Sequence, residues 1–189
     1  MKVIAGSAKG KQLKFPKLPE GKRLRPLTGQ AKEALFNILA GRIGGARFLD
    51  LFAGTGSVGI EALSRGASLA FFVEMERKTV ATLRENLEIT GFQDRAEVFC
   101  LEVDKALGVI EREKACFDIV FIGAPYGSPA LEKALSRLAA TVMVDKDGVV
   151  IAEHSFRDSI QERYGGLVKF RDARYGDTVM SFFSVGDNK

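Results

Sequence analysis

Short apolar runs alternate with amphipathic stretches along most of the chain. The runs are rich in Val, Ile, Leu and Phe, and they predict β-strands at 47–51, 69–73, 96–101, 117–122 and 149–153. Between them apolar side chains recur every three or four residues, which predicts helices at 57–65, 77–90, 103–112 and 129–141. Strands that alternate with helices favour an α/β fold with a doubly wound, mostly parallel sheet and right-handed crossovers.

The N-terminal part of the chain has a different pattern. Residues 1–5 and 11–15 are short strand candidates that flank a glycine-containing turn, so they predict a hairpin. Prolines then interrupt regular structure until Thr28, whose hydroxyl is suited to cap the start of a helix. Ala31 and Leu35 follow at helical spacing and are expected to face the core.

The C-terminal part predicts a second hairpin. Residues 167–173 and 178–185 are apolar runs separated by a four-residue turn that contains glycine. This hairpin would add one antiparallel strand to the otherwise parallel sheet. We divide the chain into a basic hairpin and loop at 1–27 and an α/β domain at 28–189.

A glycine-rich loop follows the first strand of the α/β pattern. Asp50 comes near the end of that strand, and Gly54, Gly56 and Gly59 follow in G-x-G-x-x-G spacing at the start of a helix. Such a loop permits a tight turn and lets a ligand approach backbone N–H groups at the helix start. The glycines alone are a weak signal, but their place between a strand and a helix favours a nucleotide-like ligand.

Acidic residues also follow the next two strands. Glu74 comes twenty residues after the first glycine, where an acid can accept hydrogen bonds from ribose hydroxyls. Glu102 follows the third strand and could hold an adenine amine. Each of these residues could instead simply end a strand at the surface.

A proline turn with an aromatic residue, Gly123-Ala124-Pro125-Tyr126, follows the fourth strand. Proline fixes the backbone, so the Ala124 carbonyl has a defined direction and could accept a hydrogen bond from the amine of a base. The Tyr126 ring could stack on the same base. Composition alone favours an ordinary strand-to-helix turn with one half-buried tyrosine.

Positive charge is concentrated at the start of the chain. Residues 1–44 carry ten basic and two acidic side chains, whereas residues 45–189 carry eighteen basic and twenty-two acidic ones. A basic segment on a mildly acidic body favours a nucleic acid as partner, although a solvated charged surface has the same composition.

Composition argues against several other classes of protein. No apolar stretch is long enough to span a membrane, and no signal-peptide pattern opens the chain. Cys100, Cys116 and His154 lack metal-ligand spacing, so we expect no metal site, reduced core thiols and a structural histidine. No Ser/His/Asp or Cys/His arrangement is apparent, which gives hydrolysis little support.

The loop and several other segments resemble one family. Residues 50–56, Asp-Leu-Phe-Ala-Gly-Thr-Gly, are similar to motif I of class I S-adenosylmethionine-dependent methyltransferases. The longer run at 49–65 resembles the RsmD-type enzymes, which methylate guanine N2 in small-subunit (16S) ribosomal RNA. Residues 4–13 and 25–37 resemble the N-terminal hairpin of that family and the segment after it, and 153–155 and 175–178 also fit.

The resemblance implies a seven-stranded Rossmann-like sheet and S-adenosylmethionine as the methyl donor. Asp50, Gly54 and Gly56 would line the methionine end, Glu74 would hold the ribose, and Glu102 would lie near the adenine. The implied donor-binding residues are Asp50, Phe52, Ala53, Gly54, Gly56, Glu74, Met75, Glu102 and Val103.

The resemblance also implies partners and a location. Ribosomal RNA or the small ribosomal subunit would be the partner, the protein would act in the cytoplasm, and we expect a monomer without a metal ion or a membrane anchor. Residues expected to contact RNA are Lys9, Lys11, Arg23 and Arg25. Those expected at the catalytic turn are Gly123, Ala124, Pro125 and Tyr126.

Two departures from the family pattern leave alternatives open. Gly123-Ala124 stands where the family has Asp/Asn-Pro, and Gly29-Gln30 stands where it tends to have Asp-Arg. A guanine-N2 RNA methyltransferase, a non-catalytic RNA-binding protein that retains the donor, and an adenine-N6 nucleic-acid methyltransferase are all compatible with these residues. A nicotinamide-dependent dehydrogenase shares the glycine pattern but lacks a second substrate domain and a catalytic acid or base.

Overall fold

The computed structural model describes residues 1–16 and 26–186. The helices are α1 (Gly29–Ile38), α2 (Ser57–Ser64), α3 (Arg77–Thr90), α4 (Val103–Arg112) and α5 (Ala130–Ala139), with a 3₁₀ turn at Gln93–Arg95. The strands are β1 (Arg47–Leu51), β2 (Leu69–Val73), β3 (Ala96–Phe99), β4 (Phe117–Ile122), β5 (Val144–Ser155), β6 (Arg163–Tyr164), β7 (Leu167–Tyr175) and β8 (Thr178–Val185).

The strands form one mixed sheet in the order β3-β2-β1-β4-β5-β8-β7-β6. Strands β1 to β5 are parallel, whereas β8 runs antiparallel between β5 and β7. The predicted α/β fold with a mostly parallel Rossmann-like sheet is therefore confirmed. The described residues form eight strands rather than seven, because Arg163 and Tyr164 pair antiparallel with the start of β7. Two residues are too few to show strand periodicity.

Strand β5 begins five residues earlier than predicted. Residues 145–148, Asp-Lys-Asp-Gly, suggest a turn, yet Val144 already pairs with Phe117 and the register shifts before Val149 pairs with Ile119. This irregularity in the pairing of β4 and β5 lets the polar residues 145–148 belong to the strand, although an apolar pattern would not predict them there. In the C-terminal hairpin, β7 continues to Tyr175, so the turn is shorter than predicted.

The helices cover both faces of the sheet. Helices α1, α2 and α3 contribute Leu35, Ile60 and Leu83 to the core on one face. Helices α4 and α5 contribute Leu107 and Leu135 to the core on the other face. Strand β1 has β2 on one side and β4 on the other, so the strand order reverses between β1 and β4. In open α/β sheets, ligands bind at such a reversal, beyond the carboxyl ends of the strands.

The N-terminal hairpin is shorter than predicted but is held firmly against α2. Among the described residues its pairing is limited to one bridge, between Lys2 and Gln12. The backbone N–H groups of Ile4 and Ala5 donate to the Glu61 carboxylate on α2 at 2.8 and 2.9 Å. Gly6 lies so close to α2 that a side chain there would meet the backbone at Ser64. The division at residue 27 remains a prediction.

Candidate active site

The glycine-rich loop has the predicted strand–turn–helix form. Gly54 and Gly56 have φ angles of 56° and 80°, in the left-handed region that favours glycine. Phe52 also has a positive φ, 64°, which is uncommon for an aromatic residue and concentrates backbone strain at this turn. The sequence shows no sign of this strain. Gly59 serves packing, because a side chain there would meet the buried Phe72 ring on β2.

Asp50 caps helix α2 from the neighbouring strand. The N-cap residue, Gly56, has no side chain to accept the free N–H groups of the first turn. The Asp50 carboxylate accepts the Gly59 N–H at 2.9 Å instead. Burial raises the pKa of Asp50 to about 7, the Gly59 hydrogen bond opposes that rise, and the nearby charges of Glu153 and Glu74 add to it.

This carboxyl group gives the protein a testable pH dependence. The folded pKa of Asp50 lies above its unfolded value, so its contribution to stability is full at low pH and is lost as the pH rises to about 7. One carboxyl can change the free energy of unfolding by at most about 1.4 kcal/mol per pH unit. We expect Asp50→Asn to be more stable, relative to wild type, at pH 8 than at pH 5.

Thermal unfolding at the two pH values checks this prediction. Asn can still accept the Gly59 N–H, so the helix cap is kept while the charge is removed. The exposed Asp94→Asn variant is the control and should follow wild type at both pH values. A difference between Asp50→Asn and wild type that does not change with pH would contradict the prediction.

Glu74 connects the glycine loop to the start of α3. One of its carboxylate oxygens accepts the Gly54 N–H at 3.1 Å, and the other accepts the Glu76 N–H at 2.8 Å. The side chain is half-buried between two openings at the carboxyl edge of the sheet. Its place next to the glycine loop follows from the parallel pairing of β1 and β2.

Two adjoining openings lie at this edge and share Phe52, Glu74 and Met75. The larger cavity, of about 990 Å³, also contains Glu102 and Val103. The smaller cleft, of about 360 Å³, also contains Asp50, Ala53 and Gly54. The structure therefore brings all the predicted donor-binding residues except Gly56 to one continuous surface. Their roles remain predictions.

The turn at 123–126 forms the far wall of the smaller cleft. Gly123 donates its N–H to the Leu51 carbonyl at 3.1 Å, which fixes the turn against β1. The Tyr126 hydroxyl donates to Glu153 at 2.8 Å and lies 2.9 Å from the Thr178 hydroxyl, so the ring is held at its outer end.

Glu153 also lines the smaller cleft and is a site residue that the sequence pattern did not predict. Glu153 is an acidic residue at the end of an apolar run, as Glu74 is, and Asp50 lies near the end of another. This position in the sequence is the signal that could have identified Glu153.

A histidine, a serine and an aspartate do come together, contrary to expectation, but their order does not suit hydrolysis. The His154 ring lies 2.8 Å from the Ser181 hydroxyl and 2.9 Å from the Ser155 carbonyl. Ser181 in turn donates to Asp172 at 2.6 Å. Ser181 is fully buried and cannot reach a substrate. The prediction that His154 is structural is confirmed.

The predicted RNA contacts have different environments. Lys9 is exposed. The Lys11 ammonium donates to the carbonyls of Ile89 and Thr90, so it caps the C-terminus of α3. Arg23 and Arg25 lie outside the described residues.

Two further findings concern the described part of the chain, residues 1–16 and 26–186. It contains no group of three or more side chains placed to bind a metal ion. None of its helices is both long and apolar enough to cross a membrane. Cys116 is half-buried, but Cys100 is exposed, so the prediction that both thiols lie in the core is wrong for Cys100.

Comparison with known proteins identifies the family. A family model described as "Conserved hypothetical protein 95" matches residues 1–184. The chain is 35% identical to the "Putative rRNA methyltransferase YlbH" of Bacillus subtilis, over 97% of this chain and 98% of that protein. It is 32% identical to "Ribosomal RNA small subunit methyltransferase D" of Buchnera aphidicola, over 84% of this chain and 80% of that protein.

Comparison with solved structures gives the same family. The structure described as "Putative methyltransferase yhhF from Escherichia coli" superposes with a TM-score of 0.81 at 27% identity and covers 98% of both chains. The chain belongs to the "Conserved hypothetical protein 95" family, that of the RsmD-type ribosomal RNA methyltransferases.

Proposed function

We propose that this protein transfers a methyl group from S-adenosylmethionine to the exocyclic N2 of a guanine in small-subunit ribosomal RNA. One observation carries the proposal: the larger cavity and the smaller cleft join at Glu74, beside the glycine loop. A donor bound across this junction would extend from the larger cavity to the loop, and the cleft would accommodate a base.

The residues present fit the donor. Met75, Val103 and Leu107 give the larger cavity an apolar wall for an adenine, with Glu102 at its edge. Glu74 would hold the ribose hydroxyls, since each of its oxygens can accept more than one hydrogen bond. Asp50, buried next to the loop, would favour the cationic methionine end.

The cofactor supplies an electrophilic methyl group on a sulfonium. The chain itself must hold the target base in line with that methyl group. Tyr126 is suited to this task, because its hydroxyl is anchored on Glu153 and Thr178 while its ring borders the cleft. A base that reaches the cleft must leave its stack, as is usual for enzymes that modify bases.

The relatives named as ribosomal RNA methyltransferases support the choice of RNA. We expect the basic N-terminal segment to contact its phosphates. Because the substrate would be ribosomal RNA, we place the protein in the cytoplasm, and we expect it to act as a monomer.

A methyl-transfer assay tests the proposal. Small ribosomal subunits and naked 16S RNA from cells lacking the modification are incubated with donor carrying a labelled methyl group. We expect incorporation into RNA, recovered as N2-methylguanosine after digestion. Donor binding without incorporation would favour the non-catalytic RNA-binding alternative, and label in N6-methyladenosine would favour an adenine methyltransferase.

A further inference from the structure

The catalytic turn has no polar side chain at its first position. A guanine amine is a poor nucleophile, because its lone pair is delocalised into the ring. An acceptor that binds one of the amine N–H groups orients the lone pair towards the methyl group and stabilises the positive charge that develops on nitrogen. Gly123 and Ala124 offer only backbone for this purpose.

The Glu153 carboxylate lies next to position 123 of the turn. Ile122 on β4 pairs with Ala152 on β5, so Gly123 and Glu153 follow side by side on neighbouring strands. A Cβ atom built on Gly123 would lie 3.6 Å from Glu153 Oε2. The carboxylate on β5 therefore adjoins the space that an acidic side chain on the turn would occupy.

The Glu153 carboxylate is also held in place at the cleft. Its Oε1 accepts the Tyr126 hydroxyl at 2.8 Å, and Thr178 supports the same hydroxyl from β8. Glu153 is only 7% exposed, and it lines the smaller cleft together with Asp50 and Gly54. The negative charge of Glu153 also helps to raise the pKa of the nearby Asp50 carboxyl. The Glu153 carboxylate is thus near both the Tyr126 ring and the glycine-rich loop.

We propose that Glu153 is a catalytic residue that accepts a hydrogen bond from the exocyclic amine of the target base, in place of the side chain that the turn lacks. This inference rests on the proposed function. In the transfer, the amine lone pair forms the N–C bond to the methyl carbon, and the C–S bonding pair returns to sulfur, which leaves a neutral thioether. The alkylated nitrogen then loses one proton, which Glu153 accepts and releases to water.

The first test compares single-turnover methyl transfer by wild type, Glu153→Gln and Glu153→Ala. Loss of one positioned polar group at a reacting centre costs roughly a hundredfold in rate, and we expect about that loss for Glu153→Ala. Donor affinity, measured by calorimetry, should stay within a few-fold of wild type. Glu97→Gln, which neutralises an exposed carboxylate on β3, is the matched control and should keep the wild-type rate.

A second variant separates catalysis from folding. Gly123→Asp in the Glu153→Ala background places a carboxylate next to the vacated position, with only the Phe121 ring closer than ordinary contact at 3.1 Å. We expect it to recover at least tenfold of the lost rate. A purely structural role for Glu153 predicts no recovery. Glu153→Gln keeps one acceptor oxygen and should give an intermediate rate. A Glu153→Ala variant that transfers methyl groups at the wild-type rate would overturn the inference.

A failure of the proposed function can be told apart from a failure of the inference about Glu153. The proposed function fails if wild type labels a base other than guanine or labels no RNA. In the second case binding decides the inference: RNA oligonucleotides containing guanosine are compared with the same oligonucleotides containing inosine, which lacks the 2-amino group. With S-adenosylhomocysteine present, wild type should prefer guanosine, and Glu153→Ala, which has no acceptor, should lose the preference. An unchanged preference would overturn the inference.

Discussion

Replacing Glu61 with alanine is expected to lower the free energy of unfolding by about 3 to 5 kcal/mol, because it leaves a buried charge without its partner. Glu61 is fully buried on α2, and its carboxylate lies 3.3 Å from the Lys32 ammonium and 2.8 Å from Arg65. Lys32 is itself only 1% exposed. The same substitution frees the Ile4 and Ala5 N–H groups that hold the hairpin to α2.

The pH dependence of this loss is a second readout. Burial lowers the pKa of Lys32, and the charge of Glu61 opposes that shift, so the pKa falls further in the variant. A lysine with a depressed pKa destabilises the fold at low pH, and the penalty is relieved as the pH rises through its folded pKa. The variant should therefore recover part of its stability above neutral pH.

Urea unfolding at pH 7 and pH 9 measures both effects. Glu85→Ala is the control, because it breaks an exposed ion pair with Lys14 on the same part of the fold. Exposed pairs contribute about 0 to 1 kcal/mol. If Glu61→Ala costs no more than this control, the buried pair does not anchor the hairpin.

Glu74→Ala is expected to weaken S-adenosylmethionine binding roughly a hundredfold, which corresponds to about 2 to 3 kcal/mol. The substitution removes the acceptor proposed for the ribose. It also frees the Gly54 and Glu76 N–H groups, so the loop loses the contact that positions it. The first loss removes a contact with the donor, and the second leaves the loop less ordered before the donor binds.

Calorimetry with S-adenosylmethionine checks this prediction. Glu74→Gln keeps one acceptor oxygen and should give an intermediate affinity. Glu102→Gln, at the exposed end of the larger cavity, should change the affinity only a few-fold. Equal effects of Glu74→Ala and Glu102→Gln would mean that Glu74 has no special role in donor binding.

Much of the fold could be predicted because local pattern and tertiary burial agree. Strands β1, β2, β4 and β8 and helices α3 and α4 have the predicted bounds. Gly91 directly follows α3 and has a φ of 78°, in the left-handed region that favours glycine at a helix end. By contrast, the apolar pattern of α1 placed Ala31 and Leu35 inside but gave no reason to bury Lys32. That burial depends on Glu61, a partner on another helix.

The candidate site also has features that the sequence predicts and features that it does not. The positions of Asp50 and Glu74 at the carboxyl edge follow from the alternation of strands and helices. The contact between the carboxylate of Glu153 and Tyr126 could not be predicted, since it requires the order and register of β4 and β5 as well as a side-chain direction. The interior cap that Asp50 gives to α2 was missed for the same reason.

The capping of α3 by Lys11 has a consequence for RNA binding. Lys11, Lys14 and Lys32 are engaged by the Ile89 and Thr90 carbonyls, by Glu85 and by Glu61. Each phosphate that a protein neutralises releases counterions, and the salt dependence of binding counts those phosphates. The Arg42 guanidinium also donates to the Asp147 carbonyl at 2.7 Å. Of the ten basic side chains in residues 1–44, at least these four thus already have partners within the fold. For the RNA contact proposed for this segment, we therefore expect a smaller ion release than its charge suggests.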